Sequence, residues 1–116
     1  MTTEITAPAQ PDIGTIRRNG YMAALALVER ITSEANAIPT SAQVLVQPWA
    51  PRSPEVRFYF HDDREGLEEF TVQFGLDVAE TVREDGSVYV QARRMFGDVV
   101  VAAWFLSAAG VAAVAA

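Results

Sequence analysis

Two glycine-containing corners cut the last third of the chain into three apolar runs, and this constrains the fold more than any other feature. Leu76 to Glu84, Ser87 to Phe96 and Val99 to Leu106 are rich in β-branched and aromatic residues. Asp85-Gly86 between the first two is a strong two-residue hairpin signal, and Gly97-Asp98 has glycine first, as a type II′ turn prefers. The expected form is a three-stranded meander. With two residues in each turn, Val82 lies opposite Tyr89 and Gln91 opposite Trp104. One face then carries Val78, Val82, Tyr89, Met95, Val100, Trp104 and Leu106. The other carries Val88, Val90, Ala92, Phe96, Val99, Val101 and Phe105. Both faces are apolar, unlike a solvated sheet face, so helices or another copy of the chain must cover them.

Upstream, Ile16, Tyr21, Leu25, Val28, Ile31 and Ala35 recur at helical spacing and predict an amphipathic helix capped by Asp12 or Thr15 and ended by Asn36 and Pro39. Gly20 weakens it locally. A short strand is expected from Gln43 to Gln47, then a proline-rich connection from Pro48 to Pro54, then a strand from Glu55 to His61. Asp62 or Asp63 caps a second helix with Leu67, Phe70 and Phe74 as its buried stripe, and Gly75 closes it. The order α-β-β-α-β-β-β predicts an α+β domain: an N-terminal helix, then β-β-α-β-β-β with a mostly antiparallel five-stranded sheet. Residues 12–107 form the single domain. Residues 1–11 read as a disordered tail and 108–116 as an alanine-rich C-terminal tail.

Composition narrows the function classes. The 116 residues carry 15 acids and 9 bases, a net charge of −6, so direct nucleic-acid binding is not expected. There is no cysteine, which removes disulfides, thiolate metal sites and a cysteine nucleophile. With one histidine, His61, a metal site would rest mostly on carboxylates. Every base is arginine, which reads as codon bias of a GC-rich bacterial or phage genome. The first ten residues lack the pattern of a signal peptide. Val99 to Ala116 is uncharged and of the minimum length for a membrane span, but its second half is alanine and its first half has strand content. A membrane association is not expected, and a cytoplasmic location is.

Glu55 to Leu106 is a β-α-β-β-β unit, and in that order it resembles one module of the glyoxalase/bleomycin-resistance (vicinal oxygen chelate) superfamily. The resemblance implies a cleft built from two modules and a divalent metal held by histidine and glutamate. This chain holds one module and one histidine, with no matching ligand pattern. The wording FYFHDDREGLEEF…FGLDV…REDGSVYVQA is also similar to small uncharacterised proteins of high-GC actinobacteria and their phages and plasmids, which implies a genomic context and no activity.

Several residues are candidates for chemistry or contact. His61 beside Asp62 and Asp63 is a metal or base candidate, although a strand end followed by a helix cap explains both aspartates. Between His61 and Asp85 nine acids face two arginines, a local charge of −7. Its helix portion, Asp62, Asp63, Glu65, Glu68 and Glu69, is either a solvated face or an acidic surface that docks a basic partner or imitates nucleic-acid phosphates. Arg93 and Arg94 are adjacent on a strand, so one enters each face; pairing with Glu80 or a helix carboxylate is expected, and Arg94 is a candidate ligand clamp. Tyr21, Phe58, Phe60, Phe70, Phe74 and Trp104 are expected in the core. Trp49, flanked by Pro48 and Pro51, is a candidate interface anchor. Phosphate loops, nucleophile elbows and paired metal spacings are all missing.

These readings favour a non-enzymatic interaction or regulatory accessory protein of a bacterial or mobile-element genome. It needs no cofactor and works as a homodimer, because the sheet has two apolar faces and too few helices for both. The alternatives are a small-ligand or metal-binding half-module that forms its cleft by dimerising, and an acidic decoy for a nucleic-acid-binding protein.

Overall fold

A computed structural model describes residues 12–108. Apart from Ala108, the tails expected at 1–11 and 108–116 lie outside the described residues. The elements follow in the expected order: α1 (Ile13–Glu34), β1 (Ser41–Leu45), β2 (Glu55–Tyr59), α2 (Arg64–Phe74), β3 (Asp77–Val82), β4 (Val88–Phe96) and β5 (Val99–Leu106). The fold is α+β, with one five-stranded sheet in the order β1-β2-β5-β4-β3. Only β2 and β5 run parallel; the other neighbours are antiparallel.

Both helices pack on the same side of the sheet. Val56, Phe58 and Phe60 alternate along β2 and its extension and point at them, as do Val99, Val101, Ala103 and Phe105 of β5. Phe58 and Phe60 meet Phe70 of α2 with ring centroids 5.2 and 5.3 Å apart. Leu67 and Phe70 of the expected α2 stripe are fully buried, and Phe74 is half-buried at its end. Asp63 is the α2 cap, its carboxylate accepting from the Gly66 amide at 2.9 Å. Gly75 ends the helix in the left-handed region, and the Leu76 amide reaches back to the Thr71 carbonyl at 2.9 Å. Leu76 therefore belongs to the end of α2, and β3 is shorter than the expected run from Leu76 to Glu84.

α1 is capped by Asp12, which accepts from the Thr15 amide at 2.7 Å. Its buried line is Gly20, Ala24 and Ile31, whereas Tyr21 and Leu25 of the expected stripe are 38% and 50% exposed. Small residues bring the helix close to the sheet and its loops, which rotates the larger neighbours outward. A Cβ on Gly20 would stand 3.3 Å from Val46 Cγ1 and 3.6 Å from the Pro51 carbonyl oxygen. The glycine that weakens the helix locally is thus where the helix meets its neighbours most closely. Arg17 fixes the same contact, its guanidinium donating twice to the Val46 carbonyl at 3.2 and 3.0 Å. β1 starts two residues earlier than expected, at Ser41, and ends at Leu45. Val46 is still buried just beyond it.

The β3–β4 hairpin corrects the expected register. Val82 pairs with Val88, not with Tyr89. The Arg83 amide donates to the Ser87 carbonyl at 2.8 Å and the Gly86 amide to the Arg83 carbonyl at 2.9 Å, so the loop has three residues. Gly86 takes φ +86°, the left-handed position such a loop demands. Asp85 adds to it by accepting from the Ser87 amide at 2.9 Å and hydroxyl at 2.6 Å. A one-residue slip exchanges the faces of a strand. Val78 and Val82 accordingly lie on the helix side, at the sheet edge, and are exposed. The β4–β5 corner keeps the expected form. Phe96 pairs with Val99, Gly97 has φ +63° and Asp98 does not share its positive φ, which matches a type II′ turn.

Candidate interaction surface

Both described helices lie on one side, and among the described residues no helix covers the opposite face of the sheet. The ladders place its residues in rows. Ser41, Tyr59, Trp104, Gln91 and Ala79 form one row across all five strands, and Gln43, Arg57, Ala102, Arg93 and Asp77 form the next. Tyr59 and Trp104 stack with centroids 4.3 Å apart at 31°, and Tyr89 approaches Trp104 at 6.2 Å. All three rings are half-buried, as are Leu106 and Val100, and Met95 is 55% exposed. The face thus presents aromatic and aliphatic area at its centre.

Charge on this face is balanced. Its strand residues include two acids, Glu55 and Asp77, and two arginines, Arg57 and Arg93, whereas the whole chain carries −6. The Glu55 carboxylate sits between the arginines, 3.1 Å from Arg57 Nε and 3.6 Å from Arg93. The shorter contact is too bent for a hydrogen bond, so among the described residues the buried Arg57 Nε has an ion-pair partner but no hydrogen-bond acceptor. Ala102 is fully buried although no helix covers it. Its ladder neighbours Arg57 and Arg93 have stems long enough to close over a methyl group.

The sequence-derived candidates fall elsewhere. His61 lies just past β2 and is exposed. Its Nδ1 is 2.8 Å from the Tyr59 hydroxyl, and its Nε2 is 3.3 Å from Asp62. Among the described residues no three His, Asp or Glu side chains come together as a metal site would need. Asp62 has φ +49°, a strained position for a non-glycine residue, where the chain turns from β2 into α2. Asp63 is occupied as the helix cap. Glu65 and Glu69 are exposed on α2, and Glu68 contacts Arg64 at 3.3 Å. Arg64 also reaches Glu80 at 2.8 Å, so Glu80 is not the partner of Arg93 or Arg94 as expected. The Glu80 hydrogen bond raises the Arg64 pKa further above its ordinary value.

Arg94 has a structural position. Its guanidinium donates to the Phe74 carbonyl at 2.9 Å, at the C-terminal end of α2, and stacks over the Phe96 ring at 4.7 Å. The open carbonyl end of a helix attracts a cation, and Arg94 sits on the strand that passes beneath it. Trp49 is 79% exposed in the connection between β1 and β2. Trp104 is on the helix-free face, not in the core, and Tyr21 is at the surface of α1. The ring cluster Tyr59, Trp104 and Tyr89 is not among the expected site residues. Its signal is the expected Gln91–Trp104 pairing together with the alternation of the expected strand Glu55 to His61, which sets Tyr59 on the face opposite Phe58.

No family model, curated protein or solved structure matches this chain. Among the described residues no helix is long and apolar enough to cross a membrane, and Val99–Leu106 is a strand.

Proposed function

We propose that this chain is a non-enzymatic protein-interaction or regulatory accessory protein that works as a homodimer in the cytoplasm. The helix-free sheet face is its interaction surface. One observation supports this reading above the others: aromatic and aliphatic area around Tyr59, Trp104 and Tyr89 is concentrated on a charge-balanced face. Exposed apolar area of this kind favours contact with another protein surface. The −6 charge of the chain lies off this face, so it does not oppose the approach of a partner there. The same charge argues against a nucleic-acid backbone as that partner.

Size-exclusion chromatography with light scattering on the full chain tests the homodimer, and a strict monomer at high concentration overturns it. The face has its own test. In a Trp49→Phe variant, Trp104 is the sole tryptophan, and its fluorescence reports on the sheet. Partner occupancy of the face should protect Trp104 from a neutral quencher such as acrylamide. Equal quenching in free and partner-bound protein would remove the face from the proposal.

A further inference from the structure

We propose that the two copies join through β1, edge to edge and antiparallel, to form one ten-stranded sheet. This rests on the homodimer reading: the β1 edge joins the two copies, and the helix-free face stays open for a further partner. Among the described residues the sheet has two edge strands, and they differ in kind. β3 carries Asp77 and Glu80 and leads into Arg83, Glu84 and Asp85, so its unpaired backbone is guarded by charge. β1 carries no charge at all, and none occurs anywhere from Ala35 to Pro51. In a chain with 21% charged residues, this is the longest neutral stretch that reaches a sheet edge. Two chains of −6 meet least repulsion there.

The surroundings of β1 select a second copy over an unrelated strand. Ile38 before β1 and Trp49 after it are 64% and 79% exposed, at nearly equal distances along the chain from the central residue Gln43. A two-fold axis through the Gln43 pair sets the Trp49 end of one strand beside the Ile38 end of the other, twice over. An edge whose exposed apolar groups match themselves under that rotation is complementary to its own copy. The axis stands perpendicular to the sheet, so the helices of both copies fall on one side. The two helix-free faces merge into one continuous surface with two clusters of Tyr59, Trp104 and Tyr89.

The register supplies the test. Gln43 faces Gln43 across the axis, and its side chain lies exposed on the helix-free face. Gln43→Glu and Gln43→Arg each place like charges opposite one another, and each should weaken the dimer by about fivefold. An equimolar mixture should recover the lost affinity, since Glu then faces Arg. A concentration series by light scattering reads all three, with circular dichroism to verify that each variant is folded. If both variants dimerise like the unmodified chain, or mixing restores nothing, the edge contact is overturned. A dimer lost in Trp104→Ala but kept in both Gln43 variants overturns the edge and keeps the homodimer. An unmodified chain that is monomeric throughout overturns both.

Discussion

Single side chains divide into those that hold the fold and those left free for contact. Phe58 is fully buried between the sheet and Phe70, and Phe58→Ala should cost about 3–5 kcal/mol in a urea titration. Asp63 satisfies an amide at the start of α2, so Asp63→Ala should cost about 1 kcal/mol by the same measurement. Asp85 gives a pH signature. Hydrogen bonds from the Ser87 hydroxyl and then the Ser87 amide hold its carboxyl below the ordinary range. A lowered folded-state pKa stabilises the fold above the unfolded value, and that stabilisation is lost as pH falls through the lowered one. The urea midpoints at pH 7 and pH 3 should therefore lie closer together in Asp85→Asn than in the unmodified chain.

At this scale the sequence was legible where the cause is local. The caps at Asp12 and Asp63 and the closing Gly75 depend on residues within one turn, and each lies where it was expected. Arg94 and Trp104 depend on which strand passes beside them. No spacing in the chain says that β4 runs under the end of α2, or that both helices choose the same side.

Elements show the same division. Each apolar run was readable as helix or strand from its period, yet the face a strand presents depends on the loop before it. Asp85-Gly86 predicts a two-residue β3–β4 loop, but the loop has three, because Asp85 folds onto Ser87 and Gly86 takes the third position. That one residue moved Val78 and Val82 across the sheet. Gly86→Val should destabilise the hairpin by about 1–2 kcal/mol, as any residue with a Cβ does in the left-handed region. Amide exchange in β3 should accelerate first, since this strand has a single neighbour. α1 teaches a second point. Ile16, Val28, Ile31 and Ala35 of its expected stripe face the core, but Gly20 and Ala24 take the places expected for Tyr21 and Leu25, because they permit a closer approach.

The whole molecule is two-sided, with helices and most of the charge on one side and a balanced face on the other. Two copies of like charge repel at long range, and salt screens that repulsion. Raising the ionic strength from about 0.05 to 0.5 M should therefore tighten the homodimer. A dimer held mainly by ion pairs would loosen instead. Sedimentation equilibrium at the two salt concentrations distinguishes them. The two-sidedness could not be read from the sequence, since apolar alternation on both faces of β5 is equally consistent with helices above and below.

The position of β5 bears on how the chain comes off the ribosome. It is made after every other described element, yet it lies in the middle of the sheet, with β2 along one flank and β4 along the other. Until Val99–Leu106 has emerged from the exit tunnel, the nascent polypeptide holds two pieces with no strand ladder between them. One is α1 through α2, and the other is the β3–β4 hairpin. Folding must wait for synthesis to pass Leu106. A fragment halted at Asp98 should remain sensitive to protease along its whole length.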